Sequence, residues 1–263
     1  MFPTDHEFRR YAIAQATAKR IATQIAQQIE PGMTEADAYR LAEQSFQSEG
    51  ILRHWHIPVI GLGEGTLKLR SLGALAHARI TRGRRYAALG DAVMIDIAPV
   101  VDGYPSDFTW SGALGTPVAT ALATAAHKFA QSVIGQLAHT DVDSDIWHLA
   151  ERLGSTDAGV RWIPVPVIGL GHRLMRIPAT WLHWSGARYL YLALTRGPAF
   201  LSGPRAVCLR DFWMIEPYLS DGQSAAKYEQ MVFVGGDARL MVDLDSGEPT
   251  WRDIPQTNID GLR

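Results

Sequence analysis

The chain has 263 residues, of which 47% are hydrophobic and 20% are charged, the composition of an ordinary globular protein with a sizeable core. Its formal net charge of −2 gives no electrostatic reason to expect nucleic acid or an anionic membrane as a partner. Cys208 is the only cysteine, which excludes an intrachain disulfide and a thiolate-rich metal site. Any metal site in this chain must therefore be built from carboxylates and imidazoles.

The first residues do not combine a basic segment with an apolar run, the pattern of a secretory signal. Elsewhere, no stretch approaches the roughly 18 apolar residues that a membrane span needs. From the sequence we therefore expect a cytoplasmic protein without a membrane segment.

The chain begins with two predicted helices. Residues 5 to about 30 contain neither Gly nor Pro and carry apolar residues at helical spacing. Thr34 and Asp37 have the spacing of a capping box, which predicts a second helix from Glu35 to about Gln47.

The rest of the chain alternates between strand and helix patterns. Short apolar runs bounded by turn residues predict strands over 58–62 and 92–101. Residues 117–153 return to helical spacing, in two pieces that break near Thr140-Asp141, and strand patterns resume from Val165. The order helix, strand, helix, strand predicts an α+β fold.

Two parts of the chain repeat each other in the same order. The matching pairs are Pro58–Glu64 and Pro166–His172, Asp91–Asp96 and Asp211–Glu216, Asp102-Gly103 and Asp221-Gly222, and Asp107 and Glu229. Two copies are too few for a solenoid, which needs about three or more repeats. The repeat predicts a single domain spanning 1–263, made of duplicated α+β units of roughly 1–115 and 116–245 about a pseudo-twofold axis.

Each of these halves contributes two acids that follow or interrupt apolar strands. Asp96 lies within an apolar run, and Asp107 follows it beyond a turn, so that a hairpin can bring both carboxylates to one face of a sheet. Glu216 and Glu229 repeat this arrangement in the second half. Because a buried, unpaired carboxylate is costly, such acids must be neutralised, paired or bound to a cation.

Four converging carboxylates would repel one another, and two divalent cations would balance their charge. His172 follows a Gly-x-Gly run, where the backbone can approach a site closely, and adds a nitrogen ligand. Oxygen-rich ligation with one imidazole favours Mn²⁺, Fe²⁺, Co²⁺ or Zn²⁺. A pair of such ions can turn a bridging water into hydroxide near neutral pH and stabilise the oxyanion that its attack produces.

These motifs resemble those of the methionine aminopeptidase, prolidase and creatinase superfamily of M24-type metallopeptidases. The residues that carry the resemblance are Gly90-Asp91, Met94-Ile95-Asp96, Asp102-Gly103-Tyr104, Ser106-Asp107-Phe108-Thr109, Gly171-His172, Ile215-Glu216-Pro217 and Tyr228-Glu229. The resemblance implies the pita-bread fold, in which duplicated α+β units surround a curved antiparallel sheet. It also implies a short form without the N-terminal domain of prolidases, whose dimers often rely on that domain. A homodimer is compatible with the sequence, which does not fix the oligomeric state.

The same resemblance implies a role for each of the five ligands. Asp107 and Glu229 would bridge two metal ions, Asp96 would chelate the first, and His172 and Glu216 would bind the second. Glu216 would also pass a proton to the leaving nitrogen.

A histidine that contacts substrate is a further expectation from the resemblance. His77 lies near the corresponding position, 19 residues before Asp96, while His54 and His56 compete for the role. Imidazole suits such a role because its pKa lies near working pH.

Several positions depart from the peptidase pattern. Ala179 stands where the family usually has a second histidine, and His183 could replace it only if the loop takes a different path. Lys227 stands where proline-specific members often have arginine. The aromatic residues within 175–200 could line an enlarged apolar pocket, although aromatics more often pack in a core.

Three functions fit this sequence. The first is a dinuclear-metal-dependent aminopeptidase or Xaa-Pro dipeptidase that acts on small peptides through a metal-bridging hydroxide. The second is an enzyme that does not cleave peptides but uses the same metal site, such as a small-molecule hydrolase, a lyase or an oxidative enzyme. A binding protein without turnover is the third, and the complete ligand set argues against it.

Overall fold

The computed structural model describes residues 2–68, 86–116, 120–140, 142–154, 159–165, 168–176, 200–204 and 208–256. Its helices are α1 (Asp5–Gln28), α2 (Glu35–Ser48), α3 (Gly65–Lys68), α4 (Ala121–Leu137) and α5 (Asp143–Leu153). Its strands are β1 (Val59–Leu62), β2 (Ala92–Ile97), β3 (Val100–Val101), β4 (Tyr104–Pro105), β5 (Phe108–Ala113), β6 (Arg161–Trp162), β7 (Gly171–Arg173), β8 (Asp211–Ile215), β9 (Tyr218–Ser220), β10 (Ala225–Lys227), β11 (Gln230–Gly235), β12 (Ala238–Asp243) and β13 (Thr250–Asp253). All the strand pairs in its sheets are antiparallel, and the mixture of helices and sheets confirms the predicted α+β class.

Local sequence signals explain where the first helices begin. Thr4 caps α1, and its hydroxyl accepts a hydrogen bond from the amide of Glu7. Thr34 and Asp37 form a reciprocal capping box at the start of α2, as their spacing predicts. The predicted strand over 92–101 is interrupted after Ile97, because Pro99 has no amide hydrogen to donate to a strand ladder.

Each half of the chain builds a sheet around one central strand. In the first half β2 lies between β1 and β5, and Asp96 faces Val59 on one neighbour and Thr109 on the other. In the second half β8 lies between β7 and β11, within the five-stranded order β13-β12-β11-β8-β7. The central strands thus share one arrangement of neighbours. The duplication and the single-domain extent stay predictions.

Helices cover these sheets with apolar side chains. Ile21 and Ile25 of α1 pack with Ile60 and Ile95 of the first sheet, together with α2. In the second half, α4 and α5 pack against β8 and β11, where Ile215 is fully buried. None of the described helices combines the length and the apolar character needed to cross a bilayer.

The N-terminal helix also contacts the second sheet. The ring of Tyr11 lies 4.0 Å from that of Phe212 on β8, and Phe8 packs edge-on against Phe233 of β11. Helix α1 therefore contacts the sheets of both halves, which fixes the acids of the first half relative to those of the second.

Gly171 allows β7 to lie close to β8. A Cβ atom at this position would lie 2.1 Å from the carbonyl oxygen of Met214, far inside van der Waals contact. His172, the next residue, pairs with Met214 in the ladder. The close approach therefore sets the position of the His172 imidazole.

We expect Gly171→Ala to lower the free energy of unfolding by about 1–3 kcal/mol, because the added methyl must push two paired strands apart. Urea unfolding followed by circular dichroism measures the loss. Gly203→Ala is the matched control, since a Cβ there would meet nothing within 4 Å, and its effect should stay within about 0.5 kcal/mol. Equal stability of the two variants would contradict the packing argument.

Candidate metal centre

The five predicted ligands converge on one buried cluster. Asp96 lies in β2, Asp107 between β4 and β5, His172 in β7, Glu216 directly after β8, and Glu229 between β10 and β11. All five are buried. Strands and the connections between them thus bring side chains from distant parts of the chain into one buried cluster.

Asp107 lies at the centre of this cluster. One carboxylate oxygen, Oδ2, is 3.1 Å from Nε2 of His172, and the other, Oδ1, is 3.3 Å from Nε2 of His56. The side chain of Gln15 on α1 holds its backbone: Nε2 donates to the carbonyl of Asp107 at 2.5 Å, and Oε1 accepts from its amide at 3.2 Å. The two oxygens of the Asp107 carboxylate thus face two different groups of side chains that can bind a metal ion.

His172 and Glu216 are the potential metal ligands on one side of Asp107. Nε2 of His172 lies 3.5 Å from Oε1 of Glu216, and the Nδ1 atom of the ring lies 3.3 Å from the carbonyl oxygen of Arg173. Asp107, His172 and Glu216 therefore present one ligand atom each to a common point.

His56 and Asp96 are the potential metal ligands on the other side of Asp107. Nε2 of His56 lies 3.3 Å from Oδ1 of Asp96 as well as 3.3 Å from Oδ1 of Asp107. These three residues form a second group with the spacing of metal ligands. The sequence indicated His56 only as a competitor of His77 for substrate contact, because nothing in its neighbourhood indicates proximity to Asp96.

Lys227 adds a positive charge to the same cluster. Its ammonium lies 2.9 Å from Asp96 Oδ2 and 2.6 Å from Glu216 Oε2, and it also contacts Glu229. The hydroxyl of Ser111 on β5 holds the backbone of Lys227 through one accepted and one donated hydrogen bond, of 3.1 and 2.8 Å. One ammonium neutralises one of the four carboxylate charges.

The cluster fits divalent metal ions because its carboxylate oxygens are incompletely satisfied. Oδ1 of Asp96, Oε1 of Glu216 and both oxygens of Glu229 are buried and accept no hydrogen bond from the described part of the chain. The Lys227 ammonium approaches Oε1 of Glu229 as a charge rather than as an aligned donor. Buried acceptors without donors are costly, and cations remove that cost.

Burial and mutual repulsion change the pKa values of these acids. Burial raises the pKa of Glu216 and, with the charge of Asp107, raises that of Glu229 well above its usual range. Burial alone would also raise the pKa of Asp107, yet the charge of His56 and the hydrogen bond with His172 hold it below its usual range. Asp107 therefore ionises more readily than an ordinary aspartate.

For the pKa values of the two cationic side chains, Lys227 and His56, the effect of nearby negative charges outweighs that of burial. Burial by itself lowers the pKa of Lys227, but the charges of Asp96, Glu216 and Glu229 raise it well above its usual range. Burial likewise lowers the pKa of His56, and the charges of Asp96 and Asp107 raise it well above the ordinary value for histidine. Both cations are held by the carboxylates that surround them.

The side chains of the cluster differ in solvent exposure. The side chains of Asp96 and His56 are 13% and 11% exposed, whereas those of Glu216 and Glu229 are 1% and 0% exposed. Asp96 and His56 are therefore more exposed than the two glutamates of the cluster.

Two of the predicted catalytic residues, His77 and His183, lie outside the described residues, as does Ala179. Most of the aromatic segment within 175–200 also lies outside them. Their roles stay predictions. Sequence reasoning did not identify Gln15 as a site residue, because a lone glutamine on a helix carries no signal of the backbone that it will contact.

Comparisons with known proteins agree with this architecture. The sequence matches metallopeptidase family M24 over residues 9–235. An X-Pro aminopeptidase from Thermotoga maritima MSB8 aligns with a TM-score of 0.65 and 19% identity, over 92% of this chain and 62% of that one. A Xaa-Pro dipeptidase from Bacillus anthracis aligns with a TM-score of 0.65 and 15% identity, over 94% and 62% of the two chains.

A methionine aminopeptidase from Thermotoga maritima aligns over nearly its whole length, with a TM-score of 0.61, 15% identity, and 98% and 99% coverage of the two chains. The chain thus spans about three fifths of the X-Pro aminopeptidase and the dipeptidase, and all but a few residues of the methionine aminopeptidase. These similarities confirm the predicted pita-bread fold. No sequence among the curated proteins matches the chain.

We expect Lys227→Met to destabilise the metal-free protein by about 3–5 kcal/mol, because the variant leaves three buried carboxylates without their common cation. Added Co²⁺ should restore most of that loss, since it supplies the missing positive charge. Urea unfolding with and without Co²⁺ measures both effects. Lys128→Met, which removes an exposed lysine from α4, should change neither value. A metal-free Lys227→Met protein as stable as the wild type would contradict the expected charge balance.

Proposed function

Because the chain belongs to metallopeptidase family M24, we propose that it is a hydrolase that uses two divalent metal ions to cleave small peptides, as an aminopeptidase or a Xaa-Pro dipeptidase. One observation carries the proposal: the two oxygens of the buried Asp107 carboxylate face two separate groups of potential metal ligands. A carboxylate in that position can bridge two ions. The proposed ions are Mn²⁺, Fe²⁺, Co²⁺ or Zn²⁺, which suit oxygen ligands combined with imidazole.

The described side chains offer ligands for both ions. Asp96 and Asp107 would hold the first, His172 and Glu216 together with Asp107 would hold the second, and Glu229 would bridge the two. Ligand atoms on a tetrahedral ion with bonds of about 2.0–2.1 Å lie about 3.3–3.4 Å apart. The distances from His172 Nε2 to Asp107 and Glu216, 3.1 and 3.5 Å, match that spacing.

Metal ions in such a site acidify water and polarise the carbonyl group that is attacked. Within this chain, Glu216 is the group proposed to move the proton from that water to the leaving nitrogen. Burial raises the pKa of Glu216 above its ordinary value, which makes this carboxylate a better proton acceptor than an exposed glutamate. Oε1 of Glu216 accepts no hydrogen bond from the described residues, so it is available to a metal ion.

Peptide cleavage comes to this proposal from the relatives, whose names describe an X-Pro aminopeptidase, a Xaa-Pro dipeptidase and a methionine aminopeptidase. A cytoplasmic location and the lack of nucleic-acid and membrane partners stay predictions from the sequence, and a homodimer stays compatible with it.

A second candidate is an enzyme that uses the same centre without cleaving peptides. Two departures from the peptidase pattern favour it. Ala179 replaces the histidine that the peptidases usually carry, and Lys227 replaces an arginine of the proline-specific members. The ammonium of Lys227 contacts three of the carboxylates directly, so this replacement changes the centre itself.

A substrate panel separates the two candidates. The purified protein, loaded in turn with Mn²⁺, Fe²⁺, Co²⁺ and Zn²⁺, is incubated with Xaa-Pro dipeptides and methionyl peptides, and released amino acids are quantified. We expect cleavage by the wild type and a fall in kcat of about 10²–10⁴-fold in Glu216→Gln, because a general acid–base group contributes that much. Glu43→Gln, an exposed carboxylate on α2, should keep full activity.

Metal content is measured beside activity in every sample. A fully metallated wild type that cleaves no peptide would overturn the peptidase proposal and favour the second candidate. Loss of metal in Glu216→Gln would show that this residue acts as a ligand, whereas a fall in kcat with the metal retained would support its role as the proton carrier.

A further inference from the structure

His56 occupies the position of a ligand at the first metal position. It lies in the connection that precedes β1, and its imidazole reaches the carboxylates of Asp96 and Asp107. Its Nε2 atom is 3.3 Å from one oxygen of each acid. A tetrahedral ion with bonds of about 2.0–2.1 Å separates its ligand atoms by about 3.3–3.4 Å, so these three atoms have the spacing of ligands on one ion.

The other ring nitrogen of His56 fixes which atom can bind a metal. Nδ1 lies 2.6 Å from the carbonyl oxygen of Ile57. Because a carbonyl only accepts, Nδ1 must carry a proton. Nε2, which faces the acids, is therefore the nitrogen whose proton a metal ion would replace. Histidine ligands in metal sites characteristically donate their second N–H in this way, which orients the ring and increases the basicity of the ligating nitrogen.

His172 shows the same arrangement on the opposite side of Asp107. In both histidines Nδ1 faces the carbonyl oxygen of the next residue and Nε2 faces one oxygen of Asp107.

The indole of Trp55 contacts both rings, with centroid distances of 4.5 Å to His56 and 4.4 Å to His172. Its Nε1 donates to the carbonyl of Ser106 at 3.1 Å, beside Asp107. Trp55 thus packs the two imidazoles around the central carboxylate.

We infer that His56 is a protein ligand of the first metal ion, so that each ion of the centre binds one imidazole. The inference rests on the proposed function, because it assumes two ions on either side of Asp107. It adds a sixth residue to the five predicted ligands. A nitrogen donor at the first position moves its preference from Mn²⁺ towards Fe²⁺, Co²⁺ and Zn²⁺, because imidazole suits these borderline ions better than an all-carboxylate set does.

Co²⁺ titration of the metal-free protein tests the inference without relying on activity. Calorimetry gives the number and affinity of the bound ions, and the visible absorption of Co²⁺ reports their ligand sets. We expect His56→Phe, which keeps a ring beside Trp55, to lower the affinity of one of the two bound Co²⁺ ions. The decrease should be at least roughly 10–100-fold, which is the loss of affinity when an outer-shell partner of a metal ligand is removed. The equivalent bound near His172 should keep its affinity and its spectrum.

His56→Ala supplies a second test, because it leaves a space that free imidazole can fill. Added imidazole should restore the weakened Co²⁺ equivalent and its absorption in this variant, an effect that a purely structural histidine would not produce. His54→Ala is the matched control. It removes the other histidine of the same segment, whose ring stacks on Phe46 of α2, and it should bind both ions as the wild type does.

The outcomes separate this inference from the function on which it rests. Unchanged Co²⁺ binding in both His56 variants would overturn the ligand assignment while leaving the two-metal hydrolase intact. Equal losses in His54→Ala and His56→Ala, without rescue by imidazole, would also overturn it. A wild type that binds no Co²⁺ would overturn the proposed function and the ligand assignment together.

Discussion

The repulsion between four buried carboxylates is the constraint on which the rest of the structure depends. Asp96, Asp107, Glu216 and Glu229 come from four separate places in the chain and lie in one buried cluster, where low solvent access strengthens every charge interaction. Lys227 neutralises only one of these charges. The protein therefore holds a cluster whose repulsion is costly without added cations, and such a cluster favours the binding of divalent metal ions.

The scaffold holds this cluster by fixing backbone atoms rather than the acids themselves. Gln15 holds the peptide of Asp107, and Ser111 holds the peptide of Lys227 across the two halves. Gly171 lets β7 approach β8 so that His172 reaches the same point. Four of the carboxylate oxygens, on Asp96, Glu216 and Glu229, accept no hydrogen bond from the described residues and stay available for metal ions. The free energy of holding these acids comes from packed helices and strand ladders elsewhere.

Much of this arrangement was predictable from the sequence. The repeat and the acids in apolar strands predicted which residues would meet, since period-2 strands and hairpins leave few alternatives. His56 was not predicted as a ligand, because its distance from Asp96 is set by the path of the chain before β1 and not by any local pattern. The position of the Lys227 ammonium among three acids was also beyond prediction, since a sequence departure from arginine does not reveal where a flexible side chain will point. The roles of His77 and His183 stay predictions.

Anomalous scattering from crystals grown with Co²⁺ tests the central claim most directly, because it locates the ions independently of any activity. We expect two anomalous peaks, one beside each oxygen of Asp107, separated by the roughly 3.5–4 Å that is typical of two-metal sites. A single peak, or none, with the Lys227 ammonium still in contact with Asp96, Glu216 and Glu229, would contradict the claim that this cluster is a dinuclear metal centre.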